Sequence, residues 1–201
     1  LAGGGVTVDG AGRFDGAVLA VPAAVATGLL GPLAPPGLAG IRTTSVTLVT
    51  MAWDEATLTP PPGVNGVLVP PGEGRLMTAC SFGSSKWPHW ASPGRVVLRV
   101  SVGRQGDRGA EELTDGQLVD RLAAELREAL GARGEPVAAR VSRWPGAFPH
   151  YAVGHLGLVA GIRAELQRRA PGVTLAGSGY DGAGIPACVA SGRAAAAGLR
   201  P

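Results

Sequence analysis

Residues 177–182 read Gly-Ser-Gly-Tyr-Asp-Gly, a literal G-x-G-x-x-G set between the apolar run "PGVTLAG" and the small-residue run "IPACVASGRAAAAG". A turn of this kind joins a strand to a helix. Its glycines accept backbone conformations closed to other residues and strip side chains from the helix start, so N–H groups there can approach a ligand closely. A complete dinucleotide-binding fold needs a second parallel strand beyond that helix, with an acidic residue about 20 positions on. Only 19 residues follow Gly182, so the dinucleotide fingerprint fails on length while the strand–turn–helix geometry survives. Glycines at 177, 179, 182, 184 and 192 clear the turn, and Pro186 sits in the first turn, where its missing donor costs little. A helix is expected over Ile185–Leu199. It carries almost no bulk, which calls for close packing on another backbone or on a flat ligand. A turn serving helix–strand packing alone is the structural alternative. Asp181 reads as an acid or base or, as such residues more often do, as a turn or cap residue.

Upstream, the hydrophobic period changes twice. "VTVDGAGRFDGAVLAV" reads as a hairpin arm, a Gly-rich turn and a strand, with Val18–Val21 expected to be buried. Entered at Leu1 in mid-hairpin, the chain is expected to be a fragment of something longer. Pro22–Leu30 reads as a short helix with Pro22 as its first residue, stopped by "GPLAPPG". Between Thr43 and Gly103 the candidates are strands: "TTSVTLVTMAW", "NGVLVP", "RLMTACSF" and "RVVLRVSVG". The last alternates, with Val96, Leu98, Val100 and Val102 on one face and Arg99 and Ser101 on the other. Pro/Gly punctuation between these runs fits an antiparallel meander. Thr114 and Gln117 form a capping box for a helix to Leu130, with Gly131 as its stop. Leu118, Leu122, Leu126 and Leu130 make its buried stripe, widened by Val119 and Ala123. A further strand, "PVAARVSRW", leads to "PGAFPHY", read as an irregular corner. A helix over Gly154–Arg169 follows, with Leu156, Val159, Ile162 and Leu166 inward.

The rest of the composition excludes more than it assigns. Net charge is +3, Lys86 is the only lysine, and no arginine cluster with interleaved aromatics appears, so nucleic acid is not an expected partner. No apolar run reaches the roughly 18–20 residues that span a bilayer. Cys80 and Cys188 lie far apart without metal-ligand spacing and are expected to be reduced and buried in a cytoplasmic protein. His89, His150 and His155 are scattered, H-E-x-x-H is absent, and no G-x-S-x-G elbow exists, so no metal site and no nucleophilic hydrolase is expected. Trp144, Phe148 and Tyr151, spaced by prolines and glycines, form either a wall against a planar ligand or a plug over a core.

Two stretches taken together carry a family resemblance. "RWPGAFPHYAVGH", followed after one helix by "VTLAGSGYDGAGIPACVASGRAAA", resembles the C-terminal part of oxygen-dependent porphyrinogen oxidases, FAD enzymes of haem synthesis with an amine-oxidase-like fold. "FDGAVLAVPA" resembles the strand that returns to their flavin domain. His150 stands where that family usually has Gln, and Ala187 where Asp is common. The strand–GxGxxG–helix that grips the FAD pyrophosphate has no counterpart in these residues.

The resemblance implies an α+β chain: part of an FAD-binding domain joined to an antiparallel substrate-domain sheet with packed helices. Residues 1–40 would be the returning segment of the FAD domain, 41–142 the substrate-domain sheet and helix, and 143–201 the C-terminal part of the FAD domain. It implies FAD contacts at Gly182, Ala183, Gly184 and Ile185, with Trp144 near the isoalloxazine and Ser101 facing the substrate. No catalytic side chain is assigned. The activity implied is oxidation of a porphyrinogen, coproporphyrinogen III ahead of protoporphyrinogen IX, with O2 as final acceptor. Peripheral membrane association of the parent is compatible with it. Alternatives are another amine-oxidase-like or carotene-desaturase-like flavoprotein, or a scaffold without cofactor. Lacking the pyrophosphate-gripping part, the 201-residue chain is expected to be inactive, to hold FAD weakly, and to aggregate through apolar faces at Val18–Val21 and Val173–Ala176.

Overall fold

A computed structural model describes residues 5–107 and 109–199; the entry at Leu1 lies outside them. The chain divides into two compact units, residues 1–43 with 148–201, and residues 44–147. The α+β class holds, with helices and an antiparallel sheet in the same chain.

The second unit is built on a sheet of order β5-β6-β7-β4-β8, formed by β4 (Thr43–Asp54), β5 (Gly66–Leu68), β6 (Met77–Phe82), β7 (Arg95–Val102) and β8 (Ala138–Pro149). β6 and β4 flank β7 antiparallel, with Cys80 and Val49 both opposite Val100. Period-2 alternation fixes this register. Val49, Met51 and Trp53 face the same core as Val96, Leu98, Val100 and Val102, so a slip by one residue would turn every one of them to the other face. After β6 comes the single-turn helix α2 (Gly83–Lys86), and helix α3 (Asp115–Leu130) covers the core with Leu118, Leu122, Ala123 and Leu126, all buried. Its capping box is formed: Thr114 Oγ1 accepts the Gln117 N–H, and the Gln117 side chain accepts the Thr114 N–H. Gly131 closes the helix in the left-handed region at φ 67°.

Here one expectation fails. "PGAFP" continues strand β8 instead of breaking it. β8 is the outer strand of the sheet, where a proline removes no ladder bond that a neighbour needs, and Gly146 takes the left-handed φ of 58° within it.

In the first unit, β1 (Val6–Val8) is the expected hairpin arm, but its partner β2 (Gly12–Phe14) lies within the stretch read as the Gly-rich turn. β3 (Ala17–Leu19) pairs in parallel with β9 (Val173–Leu175). Val18 is exposed, so the expectation of a fully buried strand is corrected: among the described residues β3 has one strand neighbour, and it packs against helix α6 (Ile185–Ala197). Helix α1 (Ala23–Leu30) starts one residue later than expected, with Pro22 extended at its N-cap. Helix α4 (His155–Arg169) sends Val159, Ile162 and Leu166 into the core with Leu38, Val173, Leu175 and Tyr180. Leu156 does not join them and is exposed; Leu158, one turn before Ile162, packs on that core instead.

Candidate functional site

Strand β9 ends at Leu175, and the glycine turn then feeds a single helical turn, α5 (Ser178–Asp181), before α6 begins at Ile185. Gly177 has φ 116° and Gly182 φ 130°, conformations a residue with a Cβ adopts only under strain, so the turn's shape depends on glycine at each end. Gly184 differs. Its φ is −78°, and a Cβ built there would meet only the Pro186 Cδ, at 3.8 Å. The backbone at 184 is open to approach without being forced to be glycine by its own geometry.

The start of α6 is correspondingly bare. Gly184 is its N-cap with no side-chain cap, and no acidic residue lies in the first turn. The Ile185 side chain is 83% exposed, and Val189 one turn on is exposed too. A helix of this length presents partial positive charge and N–H groups at its start. Gly182, Ala183, Gly184 and Ile185 therefore bring backbone N–H groups and the exposed Ala183 and Ile185 side chains to a helix start that has no side-chain cap and no acidic residue in its first turn. That set fits the edge of a planar ring carrying carbonyl oxygens, which is what a flavin offers.

Behind the turn stands a polar cluster that periodicity did not reveal. Arg163 of α4 grips Asp181 at two points, Nη1 to Oδ1 at 2.8 Å and Nη2 to Oδ2 at 2.7 Å. Its Nη2 also reaches the Leu175 carbonyl at 3.3 Å. Ser191 of α6 is buried; its Oγ donates to Asp181 Oδ2 and accepts the Gly177 N–H at 2.9 Å. The Arg163 guanidinium holds the Asp181 carboxyl below the usual aspartate range, desolvation opposing it and the Ser191 hydroxyl and the nearby His155 assisting. The same pairing raises Arg163 further. Asp181 is thus a paired anion tying the turn, the second of the two roles read for it. The signal for its partners was compositional: Arg163 interrupts the apolar stretch of α4, and Ser191 is a hydroxyl in a helix of small apolar residues.

Tyr151 and His155 lie with ring centroids 4.8 Å apart, and the Tyr151 hydroxyl donates to the Ser178 carbonyl. Desolvation chiefly, with Cys188 and Asp181 adding to it, raises the Tyr151 phenol. Trp144, Phe148 and Tyr151 are all exposed, so among the described residues they plug no core, and the Tyr151 ring lies against His155. Trp144 belongs to the second unit, where it lines a cavity of about 540 Å³ with Ser45, Thr47, Glu111, Asp115 and Arg143. Arg143 is held there by Asp115 and by the Ala110 and Leu113 carbonyls. Ser101 stands in β7 opposite Leu48 and Ala79, on the face turned from the core, and its carbonyl accepts the Thr78 hydroxyl. Among the described residues no cluster of three or more His, Cys, Asp or Glu is poised for a metal ion, and no helix is long and apolar enough to cross a membrane.

The profile of the flavin containing amine oxidoreductases matches residues 2–200. The chain belongs to that family. A coproporphyrinogen III oxidase of Bacillus subtilis (strain 168) is 32% identical over 192 residues, covering 95% of this chain and 40% of its own length. A protein of the same name from Mycobacterium bovis is 38% identical over 186 residues, covering 90% and 40%. A crystal structure from Exiguobacterium sp. 255-15, provisionally assigned as a protoporphyrinogen oxidase, superposes with TM-score 0.79 at 32% identity over 90% of this chain and 40% of that one. This member of the flavin-containing family therefore spans about 40% of the length of the relatives it matches. Membership bears out the amine-oxidase-like fold and FAD as the cofactor expected from the resemblance.

Proposed function

We propose that the protein carrying this chain is an FAD- and O2-dependent oxidase converting a porphyrinogen to a porphyrin in haem synthesis, with coproporphyrinogen III as its substrate. The observation that carries this is the bare start of α6 behind Gly182–Gly184, in a chain similar over most of its length to two proteins named coproporphyrinogen III oxidase. Bound FAD would supply the two-electron acceptor chemistry, taking hydride from a macrocycle carbon and passing both electrons to O2 as hydrogen peroxide.

The chain's own residues contribute position and charge. Backbone donors of Ala183, Gly184 and Ile185 orient the ring edge and stabilise negative charge arising there, a role that costs no rearrangement because the helix is already built. Ser101 is read as a substrate contact and Trp144 as a wall near the ring. Residues 1–40 and 143–201 are read as parts of the FAD domain and 41–142 as part of the substrate domain. The protein is placed in the cytoplasm or at a membrane surface. The pyrophosphate end of FAD is assigned to a part outside these residues, so the 201-residue chain by itself is expected to lose FAD on desalting.

The test is steady-state turnover of the full-length protein on coproporphyrinogen III and on protoporphyrinogen IX, followed by porphyrin fluorescence and peroxide release. Bound flavin, stoichiometric peroxide and the higher kcat/KM on coproporphyrinogen III are expected. A protein purified gently without flavin absorbance, or one that yields no porphyrin from either substrate, overturns the reading. Trp144→Ala and Ser101→Ala should leave the thermal transition in place, the first altering the flavin spectrum and the second raising KM.

A further inference from the structure

We infer that Arg163, Asp181 and Ser191 act together as positioning residues that fix where the start of α6 stands, and through it set the reduction potential of a flavin bound there. This rests on the flavin-contact reading of α6 given above. The need for such a device comes from the turn itself. Both of its ends are glycines at positive φ, Gly177 and Gly182, and glycine has the least intrinsic preference for any one conformation. The first turn of α6 has no side-chain cap to anchor it.

Tyr151 ties the turn at the Ser178 carbonyl, and a second set of ties from neighbouring elements converges on one carboxylate. At the entry, Ser191 Oγ accepts the Gly177 N–H at 2.9 Å. At the exit, the same hydroxyl donates to Asp181. From α4, Arg163 closes on Asp181 with two hydrogen bonds and on the Leu175 carbonyl at the end of β9 with a third. Strand end, glycine turn, α4 and α6 are therefore joined through three side chains. The pairing also neutralises Asp181, so its charge does not cancel the positive helix start. A displaced helix start would lose donor contact with the ring, and the loss weighs most on the reduced, more negative form.

The test separates position from charge. Arg163→Met leaves an extra negative charge behind the turn, Asp181→Asn an extra positive one, and Ser191→Ala neither. If charge alone mattered, the first two would move the flavin potential in opposite directions and the third not at all. A positioning role moves all three the same way, to more negative potential. The expected size is about 30 mV, the equivalent of a tenfold preferential loss for a two-electron couple. Potentials are read by dye-coupled reduction of the full-length holoprotein and its variants, with thermal melts alongside. Ser191→Ala removes a single hydroxyl and carries the test if either charge variant does not fold. Opposite shifts in the charge variants, or an unmoved potential in Ser191→Ala with flavin bound, overturn the inference and leave the functional reading standing. A wild-type protein that holds no flavin overturns both.

Discussion

Arg163 and Asp181 meet as a two-point pair, at 2.8 and 2.7 Å, although 18 residues and a strand separate them in the chain. Both side chains keep partial contact with water, Arg163 at 40% and Asp181 at 29% exposure, which screens the attraction. Its two-point geometry still places it at the upper end for such pairs, about 1 kcal/mol. Arg163→Met should lower the stability of the first unit by that amount, read as a small fall in melting temperature.

The pair also predicts an acid limb. Asp181 is surrounded by Arg163, Ser191, His155 and Tyr151, and its folded-state pKa is lowered below the ordinary 3.8, with the Arg163 hydrogen bonds as the largest cause. Its contribution is therefore fully present above the ordinary aspartate value and disappears as pH falls through the depressed one. Melting temperatures of wild type and Asp181→Asn should differ most near neutral pH and converge in strong acid. A difference that grows with acidity would contradict the assignment.

Gly182 and Gly184 should respond in opposite ways. At φ 130° a side chain at 182 is strained and its Cβ would lie 3.2 Å from the Ala187 Cβ. Gly182→Ala should destabilise the protein by about 1–3 kcal/mol. At 184 the backbone is ordinary and the space open, so Gly184→Val should leave the melt nearly unchanged while weakening FAD affinity at least about tenfold, because the added side chain stands where the ring edge must come. Unchanged FAD affinity and unchanged potential in Gly184→Val would count against the flavin contact itself.

Glu125 predicts a stability effect far from any ligand. It is buried on α3, and its two oxygens accept the Leu76 N–H at 2.8 Å and the Met77 N–H at 2.9 Å where the chain enters β6. Glu125→Ala leaves both donors without that partner, one of them buried, and should cost about 2–4 kcal/mol. Glu125→Gln keeps one acceptor oxygen and should cost less than the alanine variant. Denaturant titration of the two variants checks the order.

The thiols were expected to be alike and are not. Cys80 is buried in the sheet core, and burial pushes its thiol up to about 12; Cys188 is half-buried, its Sγ facing the Gly182 carbonyl at 3.6 Å. An aromatic disulfide reagent should label Cys188 in the native protein and reach Cys80 only on unfolding. Rapid native labelling of both would refute the packing of β6.

What could be read from the sequence followed from local rules. The Thr114–Gln117 box, the Leu118–Leu122–Leu126 stripe and the Val96–Val102 alternation each depend on spacing, and spacing states which face of an element is apolar. It does not state what that face or a polar exception meets. Arg163 finds Asp181 across β9, and Glu125 finds the Leu76 and Met77 amides 49 and 48 residues away, so neither partner leaves a periodic trace. Leu156 and Leu158 are both leucines on the first turn of α4, and only packing tells them apart. Position in the sheet likewise decided β8: two prolines that would break a central strand are tolerated on an outer one.

That outer strand has a consequence for self-association. An unpaired sheet margin invites a second chain to add its own strand, and the ways to refuse are proline, positive charge and short length. β8 refuses with Pro145, Pro149, Arg140 and Arg143. At the opposite margin, β5 is three residues long, too short a template to recruit a neighbour. The sheet of the second unit is thus terminated in both directions. Clumping through this unit must then start from exposed side chains such as Leu68 and Trp144, and should yield amorphous, thioflavin-negative aggregate instead of ordered fibres.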